Sequence, residues 1–301
     1  MQNDRRDFLK SALLTAGAVS FSSLLQAESE GTGNDISSNQ YAVHHLFQRD
    51  GVNFGKELDK SLDIMKKSGI TGLEPFLDNV EITQSMGKKL QSHGLKMPTG
   101  YCGINLHDPN VAQSEIDRVF SIGETAAPFG TKIIVFNPAV KKGKSDSELA
   151  LQSENMNKLG AKLKTLGISL AFHYHAQELE FGAREFHHSL CGTDPANMTL
   201  CFEMHWSYQG CGNSAIAVYD HLKLYGRRAS CIHLRQSVNN VWSESFGDGD
   251  IDCQKLAEGF KTVGKKPVLI LEQIPGEGTP KTLTTGEVLR ASVDYAKKIF
   301  G

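Results

Sequence analysis

The sequence has no run of eighteen apolar residues, so it contains no ordinary membrane span. It has no long basic run and a net charge of −2, which argues against a nucleic-acid partner held by phosphate neutralisation. Six cysteines in 301 residues are too few for a disulfide scaffold, and they form no CxxC pair, which excludes a zinc ribbon and a thioredoxin-type motif. We expect them to be small, buried apolar residues. With 40% hydrophobic and 22% charged residues, the chain has the composition of an ordinary globular protein.

The first 27 residues have the composition of an export signal. Arg5 and Arg6 precede Phe8-Leu9-Lys10 and an uncharged, mildly apolar stretch over residues 11–25. This order resembles the twin-arginine export signal of bacteria, and a short amphipathic helix of the mature domain is the alternative. We therefore predict a signal peptide over residues 1–27, a linker over residues 28–40, and a periplasmic or otherwise exported mature protein.

Short strand-like runs alternate with segments of helical periodicity after residue 40. The predicted strands are 41–47, 71–76, 96–101, 132–137, 169–175, 199–203, 230–234 and 267–272. Eight strand–helix units without a break in composition predict an α/β fold, a single (β/α)8 TIM barrel over residues 41–301. A doubly wound open sheet is the alternative, but the glycine-rich phosphate loop expected after its first strand is missing.

Ionisable residues recur on one face of the last four predicted strands, close to their C-terminal ends. Alternate residues of a barrel strand point into the lumen, and barrel enzymes keep their active sites at the C-terminal end. Imidazole and carboxylate ligands suit Mn²⁺, Zn²⁺, Fe²⁺ or Co²⁺, and buried carboxylates need a countercharge. We predict that a divalent metal ion is bound by His173, Glu203, His233 and Glu272, with His175 as an alternative to His173. A metal-free network of hydrogen-bonded histidines and glutamates is the rival interpretation.

Five further residues are predicted to contact a substrate. His45 and Glu74 end the first and second predicted strands, where each can reach the pocket. Trp206 can stack on the C–H face of a sugar or belong to the core. His205 shares the predicted lumen face of Glu203, and Arg235 shares that of His233.

Several motifs resemble those of the xylose isomerase-like barrels, the sugar phosphate isomerase/epimerase superfamily. The matching segments are FHYH at 172–175 with ELEF at 178–181, FEMHW at 202–206, CIHLRQ at 231–236, FGDGDID at 246–252 and LEQ at 271–273. Several positions depart from the family pattern; Glu203 stands where Asp is usual, Arg235 where Lys is usual, and His173 where epimerase-type relatives have a metal-binding Glu. An arginine cannot act as a general acid, so we expect Arg235 to clamp a substrate oxygen or to hold Glu203 or Glu272 in place. A salt bridge of Arg235 with Glu244 or Asp248 at the barrel rim is the alternative.

The resemblance implies a metal-dependent carbohydrate isomerase or epimerase that acts on a small-molecule sugar. Such an enzyme abstracts a proton next to a carbonyl and forms an enediolate that the metal stabilises. Glu203, Glu272 or His175 would accept the proton. Loss of a β-oxygen after the same first step would instead make the protein a sugar lyase or dehydratase acting on 3-keto-glycosides. A non-catalytic periplasmic sugar-binding barrel is the alternative from another class.

Overall fold

The barrel is formed by eight parallel strands. The computed structural model describes residues 35–301, so the predicted signal peptide lies outside the described residues. The strands are β1 (Ile36–Asn39), β2 (Gly72–Glu74), β3 (Thr99–Ile104), β4 (Ile133–Pro138), β5 (Ser169–Phe172), β6 (Met198–Glu203), β7 (Ala229–Leu234) and β8 (Val268–Leu271). They pair in the order β2-β1-β8-β7-β6-β5-β4-β3. The Tyr101 N–H donates to the Pro75 carbonyl at 2.8 Å, which joins β3 to the end of β2 and nearly closes the sheet. The predicted (β/α)8 barrel is confirmed.

Helices cover the outside of the barrel. They are α1 (Gln40–Arg49), α2 (Leu58–Lys67), α3 (Val80–Ser92), α4 (Ala112–Ala126), α5 (Asp146–Lys164), α6 (Glu180–Cys191), α7 (Met204–Gly210), α8 (Ala215–Tyr225), α9 (Cys253–Val263) and α10 (Thr285–Phe300). A hairpin of Ser237–Val238 and Val241–Trp242 follows β7 at the mouth of the barrel. Among residues 35–301, no helix combines the length and apolarity needed to cross a membrane.

The first strand differs from the prediction. The predicted strand at 41–47 is wrong, because Gln40–Arg49 is α1 and buries Ala42, Val43, Leu46 and Phe47 on one helical face. The strand lies earlier, at Ile36–Asn39, so the end of the predicted linker belongs to the barrel. Asn39 separates the two elements, since its side-chain oxygen accepts the Tyr41 N–H at 2.8 Å and caps α1.

Two apolar layers stabilise the barrel. The larger layer lies between the strands and the surrounding helices, and the smaller one fills the lumen. The lumen residues are Ile133, Val135, Ala171, Cys201, Cys231, Val268 and Ile270. The cysteines of the described chain are free; four are buried as expected, but Cys191 is exposed and Cys211 is only half-buried. The packed lumen leaves the C-terminal ends of the strands as the place for a site.

Candidate metal centre

The C-terminal ends of β5 to β8 bring the predicted metal ligands together. Glu203 ends β6 and His233 lies in β7, whereas His173 and Glu272 directly follow β5 and β8. Glu203 and His233 are partners in the parallel register of β6 and β7. All four residues are buried, and none is more than 6% exposed.

Glu203 is the centre of this cluster. Its Oε1 is hydrogen-bonded to His173 Nδ1 at 2.6 Å and lies 2.8 Å from His233 Nδ1. Cys201, two residues earlier in β6, donates its thiol hydrogen to the same oxygen at 3.3 Å. One ligand atom from each of His173, Cys201, Glu203 and His233 lies within 4.8 Å of the others. We call these residues the four-donor group.

Glu272 borders the four-donor group but does not belong to it. Its Oε1 is 3.5 Å from His233 Nδ1, and its Oε2 is 2.8 Å from Arg235 Nη2. Arg235 also donates through Nε to the Glu272 backbone carbonyl at 3.0 Å. Arg235 therefore pairs with Glu272 rather than at the rim, where Glu244 instead pairs with Arg49 at 2.9 Å.

Glu74 lies behind His233 rather than on the wall of a cavity. It is fully buried, and its Oε1 lies 2.9 Å from His233 Nε2. The same oxygen accepts a hydrogen bond from the Asn39 side chain at 2.8 Å. Glu74 therefore contacts His233 and is not among the residues that line the cavity described below.

A cavity of about 390 Å³ opens beside the cluster at the barrel mouth. Its lining residues are Asn39, Tyr41, His45, Phe76, Tyr101, His175, Trp206, Arg235, Trp242, Glu272, Ile274 and Pro275. The predicted pocket residues His45, His175, Trp206, Arg235 and Glu272 are among them. His45 reaches the cavity from α1, not from a strand.

His175 and Arg235 stand on the cavity wall beside aromatic rings. His175 Nε2 is 3.1 Å from His173 Nε2, and the His175 ring packs edge-on against Trp206 with 5.1 Å between centroids. The Arg235 guanidinium carbon lies 5.2 Å from the Trp206 ring and 4.8 Å from the Trp242 ring. The two tryptophans thus hold the cation through cation–π contacts. Arg235 Nη1 is buried and has no hydrogen bond to the described residues.

His205 does not line the cavity. Its Nε2 lies 3.1 Å from Ser237 Oγ, and the Ser237 hydroxyl donates to Asp250 at 2.6 Å. Burial, together with the charge of Arg235, lowers the pKa of His205 to about 4, so its imidazole is neutral at neutral pH. His205 therefore contacts the hairpin that carries Ser237 and Trp242.

Buried carboxylates dominate the electrostatics of the cluster. Burial disfavours a charge on His233, but Glu203 and Glu74 outweigh it and raise the pKa of His233 well above its usual value. Burial likewise opposes the ionised form of Glu203, but His173 and His233 outweigh it and lower the pKa of Glu203. At the cavity wall, burial and the neighbouring His173 lower the pKa of His175 to about 3. The cluster therefore combines ionised carboxylates with a neutral imidazole at the cavity.

The four-donor group fits a divalent metal ion. Its nitrogen, oxygen and sulfur donors are those that zinc and neighbouring transition metals use in proteins. Neither ring nitrogen of His233 has a hydrogen bond of acceptable geometry within residues 35–301, although carboxylate oxygens lie 2.8 and 2.9 Å away. Such nitrogens, surrounded by buried negative charge, are suited to a bound cation.

The comparison with protein families decides the family. A family model described as xylose isomerase-like TIM barrel matches residues 62–299. The chain belongs to this family. The resemblance predicted from the sequence motifs is therefore confirmed. Among curated protein sequences, none matches this chain.

Solved structures of the same fold include sugar-converting proteins. A sugar phosphate isomerase/epimerase from Parabacteroides distasonis is 16% identical with a TM-score of 0.70, over 89% of this chain and 95% of that one. The IOLI protein with a bound zinc atom is 18% identical with a TM-score of 0.65, over 89% and 99%. The 3-keto-D-glucoside 4-epimerase YcjR from E. coli is 14% identical with a TM-score of 0.62, over 88% and 99%. At these identities the likeness shows the fold alone.

Several residues of the site were not predicted from the sequence, and Cys201, Asn39 and Trp242 show why. Cys201 is on the predicted lumen face of strand six, two residues before Glu203, so the alternation already contained the signal for it. Asn39 lies in the region interpreted as a linker. Trp242 follows β7 in a hairpin that carries no strand pattern of its own.

Proposed function

We propose that this protein is a metal-dependent sugar isomerase or epimerase that removes a proton from the carbon next to a carbonyl. The observation that carries the proposal is the four-donor group beside a cavity whose wall includes His175 and Glu272. Membership of the xylose isomerase-like family supports a sugar-modifying enzyme. The 3-keto-D-glucoside epimerase among the similar structures supports the same class of chemistry.

His173, Glu203 and His233 would hold the ion, with Glu272 at the side of the cavity. When bound, a divalent ion supplies a Lewis acid that polarises a carbonyl oxygen. Glu74 would fix the orientation of His233, as carboxylates behind ligating histidines commonly do.

We assign proton transfer to His175 and Glu272. Both line the cavity, whereas Glu203 is occupied by His173 and His233. His175 follows β5 and Glu272 follows β8, so the two groups reach the cavity from different strands. One group can remove the proton and the other can return it to the opposite face or to the neighbouring carbon.

Aromatic rings and two free donors would bind the sugar. Tyr41, Phe76 and Trp206 present ring surface to the cavity, which suits the C–H faces of a pyranose. Trp206 and Arg235 line the cavity, and Trp206 Nε1 and Arg235 Nη1 have no hydrogen bond to the described residues; we assign both as donors to substrate oxygens.

The test is product analysis with the purified, metal-loaded protein. We expect 3-keto-glycosides or free ketoses to be converted to an epimer or isomer, as followed by NMR. His175→Gln should lower kcat by about 10²–10⁴-fold, the range for loss of a general acid or base, without loss of metal. His44→Gln is the matched control, because His44 is an exposed histidine on α1. This variant should leave kcat unchanged. An unsaturated product would mean elimination, and wild-type turnover by His175→Gln would contradict its assignment.

Arg235→Lys should keep the metal and the fold but weaken catalysis. A lysine ammonium cannot donate to Glu272 and to a substrate oxygen in the planar geometry of the guanidinium. We expect a loss of about 1–3 kcal/mol in transition-state stabilisation, measured from kcat/KM. Unchanged kcat/KM in Arg235→Ala would contradict the clamp.

We further propose that the protein is exported through a twin-arginine signal in residues 1–27. Arg5 and Arg6 are the residues that carry this proposal. Changing both to Lys should leave the precursor in the cytoplasm, as judged by cell fractionation and the mass of the mature protein. Normal export of that variant would contradict the proposal.

A further inference from the structure

Cys201 lies in the barrel lumen directly before the centre of the site. It is fully buried and occupies the same face of β6 as Glu203, two residues away. Its thiol points at Glu203 Oε1, the oxygen that also contacts His173 and His233. A sulfur atom therefore lies among the nitrogen and oxygen donors, although nothing in the proposed proton transfer uses it.

The spacing of the donors suits one ion. Metal–sulfur and metal–nitrogen bonds of about 2.3 and 2.0–2.1 Å place two ligands of one zinc ion no more than about 4.4 Å apart. The donor atoms of the four-donor group already lie within 4.8 Å of one another, so small side-chain adjustments suffice. Glu272, which pairs with Arg235, does not belong to the four-donor group.

Cys231 provides an internal comparison. It is the partner of Cys201 in the register of β6 and β7, is equally buried, and packs in the same lumen cluster. It also lies two residues before His233, as Cys201 lies two before Glu203. Only Cys201 belongs to the group of donors found among the described residues. The two thiols are equally buried, so they differ only in their position relative to the other donors.

We propose that Cys201 supplies a sulfur ligand to the divalent ion of this site, an inference that rests on the metal binding in the proposed function. Binding would replace the Sγ–H bond by a metal–sulfur bond and release the proton to solvent. Thiolate sulfur favours zinc and similar transition metals over magnesium, which prefers oxygen. The protein is therefore selective for thiophilic ions of the Zn²⁺ and Co²⁺ class.

Cobalt substitution of the full chain tests the sulfur ligand. Wild-type protein loaded with Co²⁺ should show the near-ultraviolet charge-transfer absorption of cobalt thiolate. Cys201→Ser should lose this absorption and bind Zn²⁺ at least ~10-fold more weakly, with a smaller change for Mg²⁺. Cys231→Ser is the matched control and should retain both the absorption and the affinity. Loss of the absorption in Cys231→Ser alone would overturn the assignment to Cys201.

X-ray absorption of the zinc-loaded wild-type protein avoids any dependence on a variant that folds poorly. We expect one sulfur neighbour at about 2.3 Å. Zinc bound with only nitrogen and oxygen neighbours would overturn the sulfur ligand and leave the proposed function standing. Failure of the wild-type protein to bind either metal would overturn both.

Discussion

Glu203→Gln is expected to cause the largest loss of metal affinity of any single substitution in the site. Its Oε1 contacts His173, His233 and Cys201, so replacement by a neutral amide removes the charge at the centre of the four-donor group. The loss should exceed the roughly 10–100-fold that follows removal of a group supporting a ligand. Competition with a chromogenic chelator measures it for Zn²⁺ and Co²⁺.

Replacement of two other glutamates by glutamine tests how far the metal site extends beyond Glu203. Glu272→Gln should weaken metal binding less than Glu203→Gln, because Glu272 borders the group and is paired with Arg235. Glu244→Gln should have no effect, since Glu244 pairs with Arg49 at the rim. Full metal occupancy in both Glu203→Gln and Glu272→Gln would exclude the predicted ligand set.

His233→Ala is expected to destabilise the metal-free protein by about 3–5 kcal/mol, as for a buried ion pair that loses one partner. His233 lies between Glu74 and Glu203, 2.9 and 2.8 Å from their carboxylate oxygens, and all three side chains are buried. Its removal leaves two carboxylates in the barrel without their shared cation. Urea unfolding in the presence of a chelator measures the change in the free energy of unfolding.

A second substitution separates charge from packing in that result. Glu74→Gln in the His233→Ala background should restore part of the stability, because it removes one of the unpaired charges. His44→Ala, on the exposed face of α1, should stay within about 0.5 kcal/mol of wild type. Wild-type stability of His233→Ala would contradict the buried network.

Hydrophobic periodicity predicted most of the barrel because most strands carry apolar residues that pack under helices. Periodicity did not predict the first strand, because its residues Ser37, Ser38 and Asn39 are polar although they are buried. Tertiary contacts satisfy them; the Ser38 hydroxyl, for example, donates to the Leu271 carbonyl at 3.1 Å. Such contacts between distant segments leave no local pattern in the sequence.

The alternation of side chains along a strand predicted which residues reach the site only where the backbone is extended. His175 lies beyond the end of β5, but its φ of −112° and ψ of −171° keep it extended, and it reaches the cavity. Beyond β6 the chain turns at once into α7, so alternation no longer describes the direction of His205. The pairing of Glu272 with Arg235 depends on side-chain conformation, which periodicity does not encode.

Hydrogen exchange at the substrate carbon tests the central claim most directly. The metal-loaded protein would be incubated in D₂O with 3-keto-glycosides and free ketoses and followed by NMR. Metal-dependent proton abstraction predicts that solvent deuterium enters the carbon next to the carbonyl. It also predicts that exchange stops when a chelator removes the ion and is strongly slowed in His175→Gln. Conversion of a substrate by the loaded protein without deuterium at that carbon, or exchange that persists after metal removal, would contradict the account.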